Sequence, residues 1–174
     1  NGVDPQTAID KQGADTVRLF TMFAAPPEQT LEWSDEGVSG AHRFLRKLWK
    51  MVHEHLETNI SVSLNIDNLN QQQQDLRRKT HETINKVNDD FGRRNTFNTA
   101  IAAVMELLND VAKHNSAETQ SVAVRHEALT SAVLLLSPIA PHICHALWQA
   151  LGHSESVADA RWPAVDEKAL VRSS

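Results

Sequence analysis

Apolar residues recur at spacings of three and four along most of the chain, and this pattern predicts a succession of amphipathic helices. The clearest example runs from Glu36 to about Leu56, where a single apolar stripe would face a core. Its members are Val38, Ala41, Leu45, Leu48, Val52 and Leu56. Ser34 or Asp35 can cap this helix, because short polar side chains accept hydrogen bonds from the free amides of a helix start.

The remaining pattern predicts more helices, separated by glycine and proline. They are expected at about 4–13, 14–24, 76–91, 97–111, 118–136 and 141–151. Gly13, Gly92 and Gly152 are placed to end helices, whereas Asn95 or Thr96 can cap the helix after Gly92. The segment 28–33 is predicted to be extended, and the segment 59–70 to be a polar loop.

These elements predict an all-α fold, an antiparallel helix bundle of four or five helices. We assign the bundle to residues 36–155, a connector module with short helices to 1–35, and a tail to 156–174.

Composition supports an ordinary globular protein of 174 residues, with 41% hydrophobic and 22% charged residues. The single cysteine, Cys144, excludes an intrachain disulfide and fits a reducing compartment. The longest apolar stretch, 132–136, is far below the roughly 20 residues of a membrane span. With no signal peptide visible in the first residues, we expect a cytoplasmic location and no membrane partner.

Residues that could carry chemistry are few. His142 and His145 flank Cys144 on a predicted helix, but a structural zinc site needs four ligands, so packed histidines are favoured over a metal site. His53 and His55 lie two residues apart and would point to different sides of their helix. Cys144 has no activating neighbour in sequence and is expected to be buried and inert. The sequence therefore predicts no catalytic residue and no metal ligand.

Basic residues are more informative, although the net charge is −5. Arg43, Arg46, Lys47 and Lys50 fall at positions i, i+3, i+4 and i+7, so they would form one exposed face opposite the apolar stripe. Such a face suits a run of phosphates, although a merely solvated face is the commoner reason for this pattern. Two further clusters consist of Arg77, Arg78, Lys79 and Lys86, and of Arg93 and Arg94. Together, the three clusters make RNA binding about as well supported as a merely solvated surface.

A family resemblance decides between them. The segments NGVDP (1–5) and GADTVRLF (13–20) resemble the stretch after the lysine-rich signature loop in class I aminoacyl-tRNA synthetases of the leucine, isoleucine and valine group. MFAAP (22–26), LEW (31–33) and GVSGAHRFL (37–45) are similar to the bacterial leucyl enzymes. FNTAI (97–101), LSPIAPH (136–142) and Leu147-Trp148 resemble the helical bundle of that family, and Trp162-Pro163 its exit toward a C-terminal domain.

The resemblance implies a stem-contact module followed by the bundle called the anticodon-binding domain. The implied function is the tRNA-binding helical domain of leucine–tRNA ligase, which attaches leucine to tRNA(Leu) using ATP. The catalytic, editing and C-terminal domains are not in the sequence, so a catalytically inactive fragment is expected. ATP and magnesium would belong to the parent enzyme, and no cofactor to the fragment. The implied partners are tRNA(Leu) and the catalytic domain of the same chain, in a monomer.

The resemblance also bears on single residues. Arg18 lies in the stem-contact segment and could reach the acceptor side of the tRNA, or could instead pair with Asp15. The predicted tRNA contacts are therefore Arg43, Arg46, Lys47 and Lys50, then Arg77, Arg78, Arg93, Arg94 and Arg18.

Two alternative functions stay open at this point. One is the valyl or isoleucyl counterpart of the same domain. The other is a helical module that binds a protein partner through an exposed apolar patch. Salt dependence separates this second alternative from RNA binding, because only phosphate contacts weaken steeply as salt rises.

Overall fold

The computed structural model describes residues 13–24, 34–58 and 61–171, and these residues form helices and loops without a strand. The α-helices are α1 (Ala14–Ala24), α2 (Asp35–Leu56), α3 (Gln71–Asp89), α4 (Phe97–Lys113), α5 (Thr119–Leu136) and α6 (Pro141–Ala150). The predicted all-α class is confirmed. The helix predicted at 4–13 and the extended segment at 28–33 lie outside the described residues.

The start of α2 follows the predicted chemistry. The Ser34 hydroxyl accepts a hydrogen bond from the Gly37 amide at 3.0 Å, which satisfies one of the free donors at the helix start. The predicted apolar stripe is buried, with Leu48 and Val52 fully enclosed. The period of three and four residues therefore identified the core-facing side of this helix correctly.

The end of α3 departs from the prediction that Gly92 closes the helix. The backbone continues through a π-helical turn, Asp90–Arg94, and Asn95 ends it in the left-handed region with φ 51°. The reason is the fully buried Asp90, whose carboxylate accepts hydrogen bonds from Lys86 Nζ at 3.0 Å and from Thr99 Oγ1 at 2.6 Å. These two bonds hold the wider turn in place, and asparagine tolerates the left-handed conformation that ends it.

One continuous core joins all six helices. α5 is buried on almost every side and lies at the centre. α1 adds Leu19 and Phe20 to the same core. Gly37 permits the close approach of α1 to α2, because a Cβ there would lie 2.6 Å from the Phe20 ring.

The proline-containing turn between α5 and α6, residues 137–140, is held by α1. Arg18 Nε donates to the Ile139 carbonyl and the Arg18 Nη2 to the Pro138 carbonyl, each at 3.0 Å. Pro141 occupies the first turn of α6, and Gly152 follows its end with φ 102°, as predicted. The sequence segments 13–20 and 136–142, although more than 100 residues apart in the chain, are thus in direct contact.

The tail, which shows no helical periodicity, folds back onto the bundle. It contains two short 3₁₀ helices, Val157–Asp159 and Glu167–Leu170, and the second packs on α3. Asp166 anchors it through an ion pair with Arg77 at 3.0 Å. No helix among the described residues is long and apolar enough to cross a bilayer.

Candidate nucleic-acid interface

The exposed side of α2 carries the four predicted cations, which we call the α2 cation stripe: Arg43, Arg46, Lys47 and Lys50. All four residues are exposed, and the Lys50 side chain retains 76% of its accessible surface. Because the stripe lies opposite the buried face, the packing of α2 fixes its direction toward solvent.

Few neighbouring groups neutralise this stripe. Within the described ranges, no carboxylate lies within 4.0 Å of Arg43 or Arg46. Lys50 is 3.8 Å from Glu54, and both side chains are exposed. Lys47 donates to the neutral Asn109 side chain at 2.6 Å. An exposed pair of this kind contributes only about 0–1 kcal/mol, so a phosphate can displace Glu54 at little cost.

A groove of about 1240 Å³ runs beside the stripe, and we call it the α2 groove. Its other side comes from the first turns of α1 and α6, through residues 13–16 and 142–143. α2 and its C-terminal cap contribute rings, cations, one apolar residue and two carboxylates: His42, Arg43, Leu45, Arg46, Lys47, Trp49, Lys50, His53, Glu54 and Glu57. Trp49 is 42% exposed there, and its ring centroid lies 4.5 Å from that of His53.

Three carboxylates line the groove, Asp15 from α1 and Glu54 and Glu57 from α2 and its C-terminal cap, and the oxygens of Asp15 are occupied. Oδ2 accepts from the Ile143 amide at 2.6 Å, and Oδ1 accepts from the His142 amide at 3.3 Å and from His142 Nδ1 at 2.9 Å. The carboxylate thus caps the N-terminus of α6, where the helix dipole favours negative charge. Asp15 pairs with His142 rather than with Arg18, whose guanidinium bonds to the two carbonyls between α5 and α6.

The second predicted cluster, on α3, is engaged with carboxylates. Arg77 is only 9% exposed and lies 3.2 Å from Glu127 and 3.0 Å from Asp166. Arg78 lies 3.1 Å from Asp75. The predicted RNA contacts of Arg77 and Arg78 stay predictions, and these ion pairs show that RNA would first have to displace a protein carboxylate.

Other cations of this region are paired in the same way. Lys79 lies 3.2 Å from Glu106, and Lys86 lies 3.0 Å from Asp90. Arg93 and Arg94 each lie 3.3 Å from Asp89, although both remain largely exposed. They belong to the π-helical turn and share one carboxylate between two guanidinium groups, so this cluster keeps a net positive charge.

The two carboxylate residues that pair with Arg77, Glu127 and Asp166, also determine which ring nitrogen of the buried His81 carries the proton. His81 Nδ1 accepts from the Asp166 amide at 3.0 Å, so its proton resides on Nε2, which donates to Glu127 at 3.3 Å. The hydrogen bond from Arg77 is the main cause that lowers the pKa of Asp166. These groups join α3, α5 and the tail, which indicates a structural role.

A second buried histidine pair joins α2 to α5. His55 Nε2 and His126 Nδ1 are 2.9 Å apart, and His55 Nδ1 is buried without a hydrogen-bond partner among the described residues. Burial lowers the pKa of His55 to about 4, and His126 and Arg125 add to the effect. Burial also lowers the pKa of His126. Both shifts favour the neutral rings, and a hydrogen bond between the two nitrogens links them.

Neither a metal site nor a reactive thiol is found in the part of the chain that the structure describes. It contains no group of three or more His, Cys, Asp or Glu side chains that could hold a metal ion. Cys144 is fully buried, and burial raises the pKa of its thiol, with Asp15 adding a smaller effect in the same direction. This environment makes the thiolate inaccessible as a nucleophile.

Sequence reasoning missed the aromatic side of the α2 groove. His42, Trp49 and His53 stand at i, i+7 and i+11, which places them on one line along a helix beside the cations. That spacing was readable from the sequence. What the sequence did not reveal was that α1 and α6 would begin beside this line and turn it into a groove.

The chain matches the family model for the anticodon-binding domain of tRNA ligase over residues 73–174. It is 68% identical over 173 residues to the leucine–tRNA ligase of Marinobacter nauticus, covering 99% of this chain and 20% of that protein. It is 62% identical to the leucine–tRNA ligase of Chromohalobacter salexigens, covering 100% of this chain and 20% of that protein. The chain thus spans about a fifth of the length of these relatives.

Solved structures show the same architecture. The LeuRS of Agrobacterium radiobacter K84, crystallised in a ternary complex with tRNA and LeuAMS, superposes with a TM-score of 0.85 at 28% identity. The match covers 97% of this chain and 22% of that one. Free methionyl-tRNA synthetase of Mycobacterium tuberculosis superposes with a TM-score of 0.74 over 87% of this chain and 35% of that one. At 19% identity, this second likeness concerns the fold alone.

Proposed function

Because this chain belongs to the family of anticodon-binding domains of tRNA ligases, we propose that it is the tRNA-binding helical domain of a leucine–tRNA ligase. The parent protein would attach leucine to tRNA(Leu) with ATP and magnesium. The present residues would hold and orient the RNA, while catalysis and editing would reside elsewhere in the parent chain. The proposal includes the division into a connector at 1–35, a bundle at 36–155 and a tail at 156–174.

The observation that carries the proposal is the α2 cation stripe. Arg43 and Arg46 are exposed and lack a carboxylate partner within the described residues, so they can meet phosphates without first breaking an ion pair. RNA binders commonly show a global excess of basic residues, whereas this chain has a net charge of −5. Binding must then depend on where the unpaired cations lie, and within the described ranges Arg43 and Arg46 place two of them on one exposed side of α2.

The proposed work is electrostatic and geometric. Phosphate contacts fix the register and orientation of an RNA without reading its sequence. A rigid stripe along α2, fixed by the buried side of the same helix, suits that task. Preference for tRNA(Leu) would then come from the shape of the RNA and from the other domains of the parent chain. The proposed partners are tRNA(Leu) and the parent's catalytic domain, the assembly being a monomer in the cytoplasm.

The experiment that tests this function is binding of the chain to tRNA(Leu) and to an unrelated tRNA across a series of salt concentrations. A steep fall in affinity with salt, together with a preference for tRNA(Leu), supports the proposal. Affinity that is independent of salt would contradict it and favour a protein-binding module that docks through apolar surface.

Charge reversal sharpens the same experiment. Arg43→Glu with Lys47→Glu, made in the full-length protein that carries this chain, should raise KM for tRNA(Leu) and leave KM for leucine and ATP unchanged. Such a pattern would identify a loss confined to RNA binding. Unchanged dependence of aminoacylation on tRNA concentration would defeat the assignment of the stripe.

A further inference from the structure

The α2 groove contains more than the cations that phosphate binding needs. Its α2 side carries an exposed indole, Trp49, with the His53 ring next to it, and large aromatic side chains are costly to leave in water. The neighbouring position 48 and position 52 belong to the buried apolar stripe, whereas Trp49 lies outside it and stays in contact with solvent. A solvent-exposed aromatic ring between cations is the combination that single-stranded nucleic acid binders use.

We propose that the α2 groove holds an unpaired nucleotide of the bound tRNA, with its base stacked on the Trp49 indole and its flanking phosphates on Arg43, Arg46 and Lys50. This inference rests on the proposed function and specifies which part of the tRNA binds in the groove. The phosphate stripe alone would bind paired and unpaired RNA equally.

The arrangement of residues on α2 supports a single path for a nucleotide. Trp49 neighbours Lys50 in sequence, and Arg46 and His53 stand three residues before it and four after it, so all three surround the indole on the helix surface. A base on the indole would therefore have its own phosphate within reach of a cation on either side. In a duplex the faces of the bases are covered by their stacked neighbours, so only an unpaired base can offer a face to the indole.

The remaining walls of the groove fit the same occupant. Asp15 is occupied by three donors from α6, so its carboxylate is engaged within the protein rather than turned toward a phosphate. His142 is 78% exposed at its side chain, and its Nδ1 is bound to Asp15, which leaves Nε2 free to accept from a base edge or a 2′-hydroxyl.

The size of the groove also points to a segment of a polymer. At about 1240 Å³ it exceeds the roughly 300–1,000 Å³ of pockets for small ligands. It is open to solvent rather than enclosed, so an occupant need not fit wholly inside it. A closed pocket for a free nucleotide would have neither property.

The test uses Trp49→Leu and Trp49→Phe in the full-length protein, measured against tRNA(Leu), a single-stranded RNA of 12 nucleotides and the duplex of that sequence. Stacking contributes roughly 1–3 kcal/mol per base, which corresponds to about 5- to 150-fold in affinity. We expect Trp49→Leu to weaken tRNA and single-stranded RNA within that range, and Trp49→Phe to restore most of the affinity. Affinity for the duplex should stay the same.

Matched controls separate stacking from charge and from folding. Trp162 is 37% exposed, lies outside the groove and packs near Phe91, so Trp162→Leu should leave RNA affinity unchanged. The salt slope should be the same for Trp49→Leu and the wild type, because a neutral ring releases no counterions. Circular dichroism confirms that each variant is folded.

Three outcomes would overturn the inference: wild-type tRNA affinity in Trp49→Leu, equal losses in Trp49→Leu and Trp49→Phe, or an equal loss for duplex RNA. These results are distinguishable from a failure of the proposed function. If Trp49→Leu binds normally while Arg43→Ala with Arg46→Ala binds weakly, the function stands and the stacking site does not. If neither variant weakens binding, both fail.

Discussion

The α2 cation stripe and the cations of α3 carry the same kind of charge for different purposes. On α2, Arg43 and Arg46 extend into solvent, and Lys47 donates to a neutral amide. On α3, Arg77 joins two carboxylates that come from α5 and the tail. One helix therefore presents its cations outward, whereas the other uses them to hold the fold together.

The difference shows that a basic cluster in a sequence is not by itself a binding surface. Charges that meet carboxylates within the protein add little to the field outside it, and a phosphate must compete with those partners. Unpaired charges attract phosphate without that competition. In a protein with a net charge of −5, this distinction decides where an RNA can bind.

The largest expected effect follows from removing the most deeply buried cation. Arg77→Met should lower the free energy of unfolding by about 2–3 kcal/mol, because Glu127 and Asp166 would lose their shared partner while both remain partly hydrated. For a chain of this length, that loss corresponds to a drop in Tm of roughly 5–10 °C. Thermal denaturation measures it, and a change under about 1 °C would show that the cluster does not hold the tail to α3.

A smaller effect concerns the pH dependence of stability. The folded-state pKa of His55 is about 4, below its ordinary value of 6.5, so between these values the unfolded chain binds the proton more readily. The contribution of the neutral His55 to the free energy of unfolding should therefore be fully present above pH 6.5. It should fall as the pH decreases from 6.5 toward 4. Chemical denaturation at a series of pH values measures this fall.

The matched control for that measurement is His55→Gln, which keeps a polar group at the position and removes the titration. The difference in stability between wild type and variant should change across pH 4 to 6.5 and be constant above it. A difference that is constant over the whole range would contradict a neutral, buried His55. Carboxylates elsewhere titrate equally in both proteins and cancel.

The smallest expected effect comes from the half-exposed pairs of α3. Arg78→Ala with Lys79→Ala should change the free energy of unfolding by less than about 1 kcal/mol, since ion pairs of this exposure contribute little. Urea denaturation of this double variant and of Arg77→Met compares half-exposed ion pairs with buried ion pairs on the same helix. Equal losses in both would show that burial does not separate them.

The sequence alone predicted most of the fold, because most helices carry a periodic apolar face and glycine or proline marks several of their ends. The exception is α5, which is buried on almost every side. The helices α1, α2, α4, α5 and α6 lie where the pattern placed them. The end of α3 was predicted wrongly at Gly92, since the deciding contact is the burial of Asp90 against α4, which no local pattern reveals. The docking of the tail on Arg77 was hidden for the same reason.

The candidate site was predictable only in part. Helical spacing placed Arg43, Arg46, Lys47 and Lys50 together on one exposed side. It could not tell these cations from Arg77 or Lys79, because the partners of those residues lie on other helices or in the tail. Charge pairing between distant segments is a property of the folded chain, so it required the structure.

The most direct test of the account compares two double variants with the same change in net charge. Arg43→Ala with Arg46→Ala and Arg78→Ala with Lys79→Ala are each measured in the full-length protein for affinity to tRNA(Leu) over a salt series. The account predicts at least about tenfold weaker binding and a salt slope smaller by nearly 2 for the α2 variant. It predicts a change of no more than about twofold for the α3 variant. Equal weakening by both variants would contradict it, because overall charge rather than the unpaired cations of α2 would then govern RNA binding.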